Sequence, residues 1–222
     1  MGALDAGGGD AVICYATTTN TRRNRDALMA SGWRLLFSAA NPGAFVHGWR
    51  YALDNGAWSA FTGAVPWSDD RFMGALVTLG PGADWVAVPD VVGDGPATLS
   101  KLDHWLPIVM QHARRALIVV QDGMTPPDIA AHLGPFVGVA IGGSTQWKIT
   151  QLAGDVWGPI CRANGSWLHA LRVNTGIRID LAAAAGCTSF DGTSATRFAV
   201  NAPKLAARAA QRGLWGDSCA MS

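Results

Sequence analysis

Short, almost unbroken apolar runs recur along the chain, each closed by glycine, proline or polar residues. The first is Ala11-Val12-Ile13-Cys14-Tyr15; Arg34-Leu35-Leu36-Phe37-Ser38 and Tyr51-Ala52-Leu53-Asp54 follow. Next come Asp84-Trp85-Val86-Ala87-Val88-Pro89-Asp90, Ala116-Leu117-Ile118-Val119-Val120-Gln121 and Phe136-Val137-Gly138-Val139-Ala140-Ile141. The last two are Trp167-Leu168-His169-Ala170-Leu171-Arg172-Val173 and Thr188-Ser189-Phe190-Asp191. Runs this short, rich in branched and aromatic residues, predict strands. Several are continuously apolar rather than alternating, which predicts a parallel sheet covered by helices.

Helical segments fill most of the gaps. Ala27, Leu28 and Met29 belong to a helix that Gly32 ends, and Ser68-Asp69-Asp70 offers acceptors to the free N–H groups of a helix reaching Leu79. Further helices are predicted over residues 97–114, 126–133 and 177–185, and one follows Gly142-Gly143. A closing helix starts near Asn201, carries Pro203 in its first turn and stops at Gly213. The link containing Asn41-Pro42-Gly43 leaves little room for a helix between the second and third strands. Eight strands alternating mainly with helices predict a compact (β/α)8 TIM barrel of eight parallel strands, a single domain over residues 1–222.

Composition agrees with that class. Of 222 residues 49% are apolar and 15% charged, enough for a full core and wrong for a disordered chain. A net charge of +1 gives no global field for nucleic acid, so such binding has to come from locally placed arginines. Cys14, Cys161, Cys187 and Cys219 are scattered, which argues against structural zinc and a disulfide framework; Cys14 and Cys187 read as small core residues. Residues 1–10 lack the apolar core of a signal peptide, and no run approaches membrane-spanning length, so a cytoplasmic protein without a membrane partner is expected. Cys219-Ala220-Met221-Ser222 matches a prenylation box only formally, since no basic cluster directly precedes it.

In such a barrel the loops after the strands form one face, and active sites lie there. The third strand ends in Asp54-Asn55-Gly56, the fourth in Asp90, the fifth in Gln121-Asp122-Gly123, the sixth in Gly142-Gly143 and the eighth in Asp191-Gly192. Each is a serviceable turn by itself. Together they bring carboxylates and an amide to one mouth. The acids are capable of holding a divalent metal, but no Asp-x-Asp or His-x-His pair is present, and no metal or cofactor is expected. His169 alternates with Trp167 and Leu171, which suits a core histidine and a substrate contact equally well.

The set Leu53-Asp54-Asn55-Gly56-Ala57-Trp58, Pro89-Asp90, Val120-Gln121-Asp122-Gly123, Ala140-Ile141-Gly142-Gly143 and Phe190-Asp191 through Thr196-Arg197 resembles the tRNA-guanine transglycosylases. The likeness is nearest to their shortened phage relatives, which insert 7-deazaguanines into DNA. It implies Asp191 as the nucleophile and Asp54 as the acid/base residue. It further implies Asp90, Gln121, Gly142 and Gly143 as the groups that bind the base. Asn55, Ala57 and Trp58 stand where that family has Ser, Gly and Phe; Asp122 replaces a glycine, and Lys148 lies near the place of a glutamate. The zinc-binding segment that follows the nucleophile in the tRNA enzymes has no counterpart, which favours DNA over tRNA as polymer. The implied second substrate is a free 7-deazaguanine such as preQ0 or preQ1.

The chemistry suits those residue types. Guanine's Watson–Crick edge offers N–H donors beside a carbonyl, which Asp90 can accept from while Gln121 and a glycine N–H donate. Asp191 can attack C1′ as retaining glycosidases do, with Asp54 moving a proton to and from the bases. On closure of the sheet Arg172, Arg178, Arg197, Arg22, Arg23 and Arg25, with Lys148 nearby, should form a basic arc for phosphates opposite the acidic strand ends. A barrel hydrolase, either a glycosidase or a metal-dependent phosphohydrolase, and a barrel that only binds nucleic acid are the competing readings.

Overall fold

The computed structural model describes residues 11–43 and 48–211. The expectations for residues 1–10, the helix stop at Gly213 and the terminal cysteine box lie outside them. Eight strands close in sequence order into a parallel barrel: β1 Ile13–Thr17, β2 Arg34–Ser38, β3 Tyr51–Asp54, β4 Val86–Ala87, β5 Ala116–Val120, β6 Val137–Ile141, β7 Leu168–Ala170 and β8 Ser189–Asp191. β8 pairs back on β1, with Ile13 opposite Ser189 and Tyr15 opposite Asp191. The fold is a compact (β/α)8 barrel.

The helices are α1 Arg22–Ala30, α2 Ala57–Phe61, α3 Asp69–Leu79, α4 Gly95–His112, α5 Pro126–Ile129, α6 Thr145–Ala153, α7 Gly158–Ala163, α8 Gly176–Ala184, α9 Ser194–Arg197 and α10 Asn201–Ala210. Among the described residues of the β2–β3 link there is no helix, as the Asn41-Pro42-Gly43 stretch predicts. The short helices α2, α7 and α9 were not legible as separate elements, because one or two turns leave too little periodicity to read. Asp94 caps α4 by accepting from the Ala97 N–H at 2.9 Å.

Alternate strand positions face two different cores. Tyr15, Leu36, Ala52, Trp85, Ala87, Leu117, Val119 and Ala140 pack inside the barrel. Their chain neighbours Ala16, Leu35, Leu53, Val86, Ile118 and Val139 belong to the layer beneath the helices. Fully burying a large apolar side chain contributes roughly 1.5–3 kcal/mol, so this double use of each strand drives closure. The strands' N-terminal end is sealed. Asp84 accepts from Tyr15 Oη at 2.8 Å and pairs with Arg34 at 2.9 Å and Arg50 at 2.8 Å, while Arg115 lies 4.6 Å over the Trp167 ring. Open space is therefore left to the other end.

Two strands are shorter than their apolar runs. β4 keeps only Val86 and Ala87 in the ladder, and Pro89, which has no N–H to donate, ends the run. β7 stops at Ala170 because Arg172 turns to a φ of +57°. That turn shapes the site.

Candidate functional site

The inward alternation runs on to the strand ends. Asp54 follows Ala52 by two residues, Gln121 follows Val119, and Asp191 follows Ser189, so all three project into the open end of the barrel. They line a cavity of about 370 Å³ together with Asp90, Asn55 and Arg172. A volume of that order suits a small-molecule or nucleotide ligand. Four of the residues read from the strand ends thus meet in one place.

Asp90 is held by two side-chain amides. Oδ1 accepts from Asn55 Nδ2 at 2.7 Å, and Oδ2 accepts from Gln121 Nε2. Burial raises its pKa to about 6 against the opposing effect of those two amides. Each carboxylate oxygen has a second lone pair, so donors entering the cavity can still be accepted. Asn55 is a site residue the sequence did not disclose. Asp54-Asn55-Gly56 is read as a turn, and the amide's contact with Asp90 spans 35 positions.

Asp54 accepts from the Gly56 N–H at 3.0 Å. Burial, then the charge of Asp90, and more weakly that of Asp191, raise its pKa to about 7. A carboxyl balanced near neutrality can both give and take a proton.

The Gly142-Gly143 pair is placed at the cavity wall, but its N–H groups are not turned to a ligand. Gly142 donates to Val120 O at 2.9 Å and Gly143 to Gln121 Oε1 at 2.8 Å. This corrects the expectation that a glycine N–H meets a base carbonyl. Glycine is required here for space and backbone shape. A Cβ on Gly142 would stand 2.8 Å from Gln121 Nε2, and Gly143, at φ +73°, would bring one 2.6 Å from Asp122 Oδ2. Asp122 itself bonds Ser144 at the start of α6, outside the cavity lining.

Asp191 receives two donors on one oxygen. Oδ1 accepts from the Arg172 backbone N–H at 2.9 Å and stands 3.2 Å from His169 Nε2. His169 is fully buried beneath Asp191 and does not line the cavity, so it is a bonded core histidine rather than a substrate contact. Asn174, also missed in the sequence, accepts from the N–H groups of Thr193 and Ser194 at 2.7 and 3.2 Å and sets the path of the loop after Asp191.

The basic residues divide into three groups. Arg172 is turned inward, stacking 3.8 Å over the Trp58 ring and donating to Gly143 O at 2.9 Å; Lys148 is buried, with Nζ on Leu171 O at 2.6 Å and its pKa lowered to about 7 by burial and by Arg172. Both line the cavity of the mouth where the basic arc was expected, each with one side-chain nitrogen bonded to a backbone carbonyl. Arg178 and Arg197 line the outer cavity. Arg22, Arg23 and Arg25 lie on α1 rather than on a loop, exposed and apart from the cavity lining, with Arg22 3.7 Å from Asp26. Asn24 donates to Thr196 O at 2.6 Å, which holds this basic turn beside Arg197.

Among the described residues no group of three His, Cys, Asp or Glu side chains is placed to hold a metal ion, and no helix is long and apolar enough to cross a membrane. Cys14, Cys161 and Cys187 are buried, and burial raises the Cys14 and Cys161 thiols to about 12. No family model matches this chain, and no curated protein matches it.

Proposed function

We propose that this barrel is a base-exchange transglycosylase that replaces guanine in a nucleic acid, DNA rather than tRNA, with a 7-deazaguanine. One observation carries the reading: Asp54, Asp90, Gln121 and Asp191 converge on one cavity, with one acid near neutrality and another held by two N–H donors. The resemblance to guanine transglycosylases gives that convergence its substrate.

In this reading Asp191 attacks C1′ of the nucleotide, the C1′–N9 bond breaks, and its electron pair leaves with the base. Protonated Asp54 supplies the proton that the departing base takes up. The resulting Asp54 carboxylate removes the N9 proton of the incoming base, which attacks C1′ and displaces Asp191. Asp90 and Gln121 select the base, because a ligand lacking the matching donors leaves buried polar groups unpaired. A nucleotide flipped from its stack would place its base among the acids and its backbone toward Arg178, Arg197 and α1.

Incubation with labelled guanine and either DNA or tRNA tests this directly. Label entering DNA supports the proposal, and label entering tRNA alone corrects the polymer. Release of base without exchange would favour the glycosidase reading, which uses a similar carboxylate pair.

Two further outcomes are expected. Asp90→Ala lowers affinity for the free base by at least about 100-fold, since a charged acceptor with two partners is removed; equilibrium dialysis with labelled guanine measures it, and unchanged binding places the pocket elsewhere. Replacing Arg22, Arg23 and Arg25 together by Ala weakens DNA binding uniformly and lowers the slope of log K against log salt by up to about 3, from roughly one per lost phosphate contact. An unchanged slope removes α1 from the nucleic-acid path.

A further inference from the structure

Both donors on Asp191 are themselves held from behind. Trp167 Nε1 donates to Ser189 Oγ at 2.7 Å, and Ser189 Oγ lies 2.7 Å from His169 Nδ1. An indole N–H can only donate, so Ser189 accepts that bond and has its single proton to give to Nδ1. Burial lowers the pKa of His169 and outweighs the raising effect of Asp191, so the ring is neutral. With Nδ1 accepting, the ring proton sits on Nε2 and points at Asp191 Oδ1. The Tyr15 and Trp85 rings, 5.9 and 4.6 Å away between centroids, wall the imidazole in.

The second donor is held through a peptide bond. The Leu171–Arg172 peptide accepts from Lys148 Nζ at its carbonyl, 2.6 Å, and donates from its N–H to Asp191 Oδ1, 2.9 Å. A positive φ at a non-glycine residue is uncommon and strained, and here it aims that N–H at the carboxylate. Two relays starting on different strands and helices therefore end on the same oxygen.

We infer that His169 and Lys148 are positioning residues for Asp191, clamping Oδ1 through Ser189–His169 and through the Leu171–Arg172 peptide so that Oδ2 is the oxygen that attacks. This rests on the base-exchange reading of Asp191. The clamp serves both halves of that reaction. When Oδ2 bonds to C1′, Oδ1 becomes the ester carbonyl and keeps its two donors. When the incoming base displaces the carboxylate, the C1′–Oδ2 pair returns to Asp191, and the same donors receive the charge on Oδ1.

Nitrogen NMR of the protein without nucleic acid reads the relay independently of activity. Neutral His169 protonated on Nε2 is expected, and Ser189→Ala, which removes the hydroxyl donor to Nδ1, should move the Nδ1 resonance toward that of an unbonded ring nitrogen while the proton stays on Nε2 against Asp191. Single-turnover adduct formation with a DNA oligonucleotide reads the clamp. His169→Leu and Lys148→Met should each slow it roughly 10- to 100-fold, the range for losing a bond to a charged group, with base affinity unchanged. His169→Gln, whose amide can donate from the place of Nε2, should recover most of the rate. Should His169→Leu fail to fold, Ser189→Ala still decides, since the inference requires both its changed Nδ1 resonance and a slower step. A charged or Nδ1-protonated His169, or equal rates for the Leu and Gln variants, overturns the inference. A wild-type protein that forms no adduct overturns the exchange reading and the clamp's role with it, while the tautomer reports on the relay alone.

Discussion

Asp191→Ala gives a folded barrel that forms no denaturant-stable adduct with nucleic acid and exchanges no base. The loss in rate is expected to be on the order of 10⁴-fold or more, because in this reading the covalent role rests on Asp191. The fold should survive. Asp191 is buried, and its removal leaves the Arg172 N–H and His169 Nε2 without their acceptor. That costs about 1–3 kcal/mol per orphaned group, within the stability of an ordinary domain. Asp191→Asn is the gentler companion, since its side-chain oxygen can still accept both bonds while the amide cannot attack. Incorporation of labelled base and a denaturing gel measure the outcome, and circular dichroism checks folding. Normal exchange by either variant would remove Asp191 from the mechanism.

Asp54→Asn is expected to slow exchange by about 10²–10⁴-fold while adding stability above neutral pH. The rate loss follows from removing the group that carries the proton between the two bases. In the wild type the first half-reaction needs Asp54 protonated, so its rate should fall as pH rises through about 7, and that limb should vanish in the variant. The stability effect has its own sign. The carboxyl titrates near 3.8 when unperturbed and at about 7 in the fold, so between those values the native state holds a proton the unfolded chain has lost. Asp54 therefore destabilises the fold progressively as pH rises from about 4 to about 7, and no further beyond. Asp90, raised to about 6, acts in the same direction over a narrower window and is still present in the variant. Urea midpoints of both proteins between pH 4 and 8 should diverge with rising pH, the variant being the more stable. Midpoints that stay parallel would show that Asp54 titrates at its ordinary value. Reactivity near neutral pH and lower stability thus share one cause, a carboxyl held among other acids with little water.

Local pattern was enough to place the strands, the longer helices and the end of the barrel where the cavity lies. Periodicity and turn residues are properties of neighbouring positions, and a strand that ends in Asp54, Gln121 or Asp191 projects that residue inward whenever the barrel closes. Side-chain partnership has no such local mark. Asn55 meets Asp90 across 35 positions, His169 meets Asp191 across 22, and Lys148 meets Leu171 across 23. Lys148 and Arg172 read as phosphate contacts because they follow the sixth and seventh strands, beside the loops that form one arc of the mouth. Only the tertiary structure buried Lys148 against a carbonyl and folded Arg172 back over Trp58. The Gly142-Gly143 pair was placed correctly in the sequence and its N–H groups were not, because which acceptor satisfies a buried donor depends on what closes around it. Sequence determined which residues reach the mouth, since that follows from strand periodicity. Tertiary packing decided which of them hold one another and which stay open to a ligand, since burial and hydrogen-bond competition are set by elements far apart in the chain.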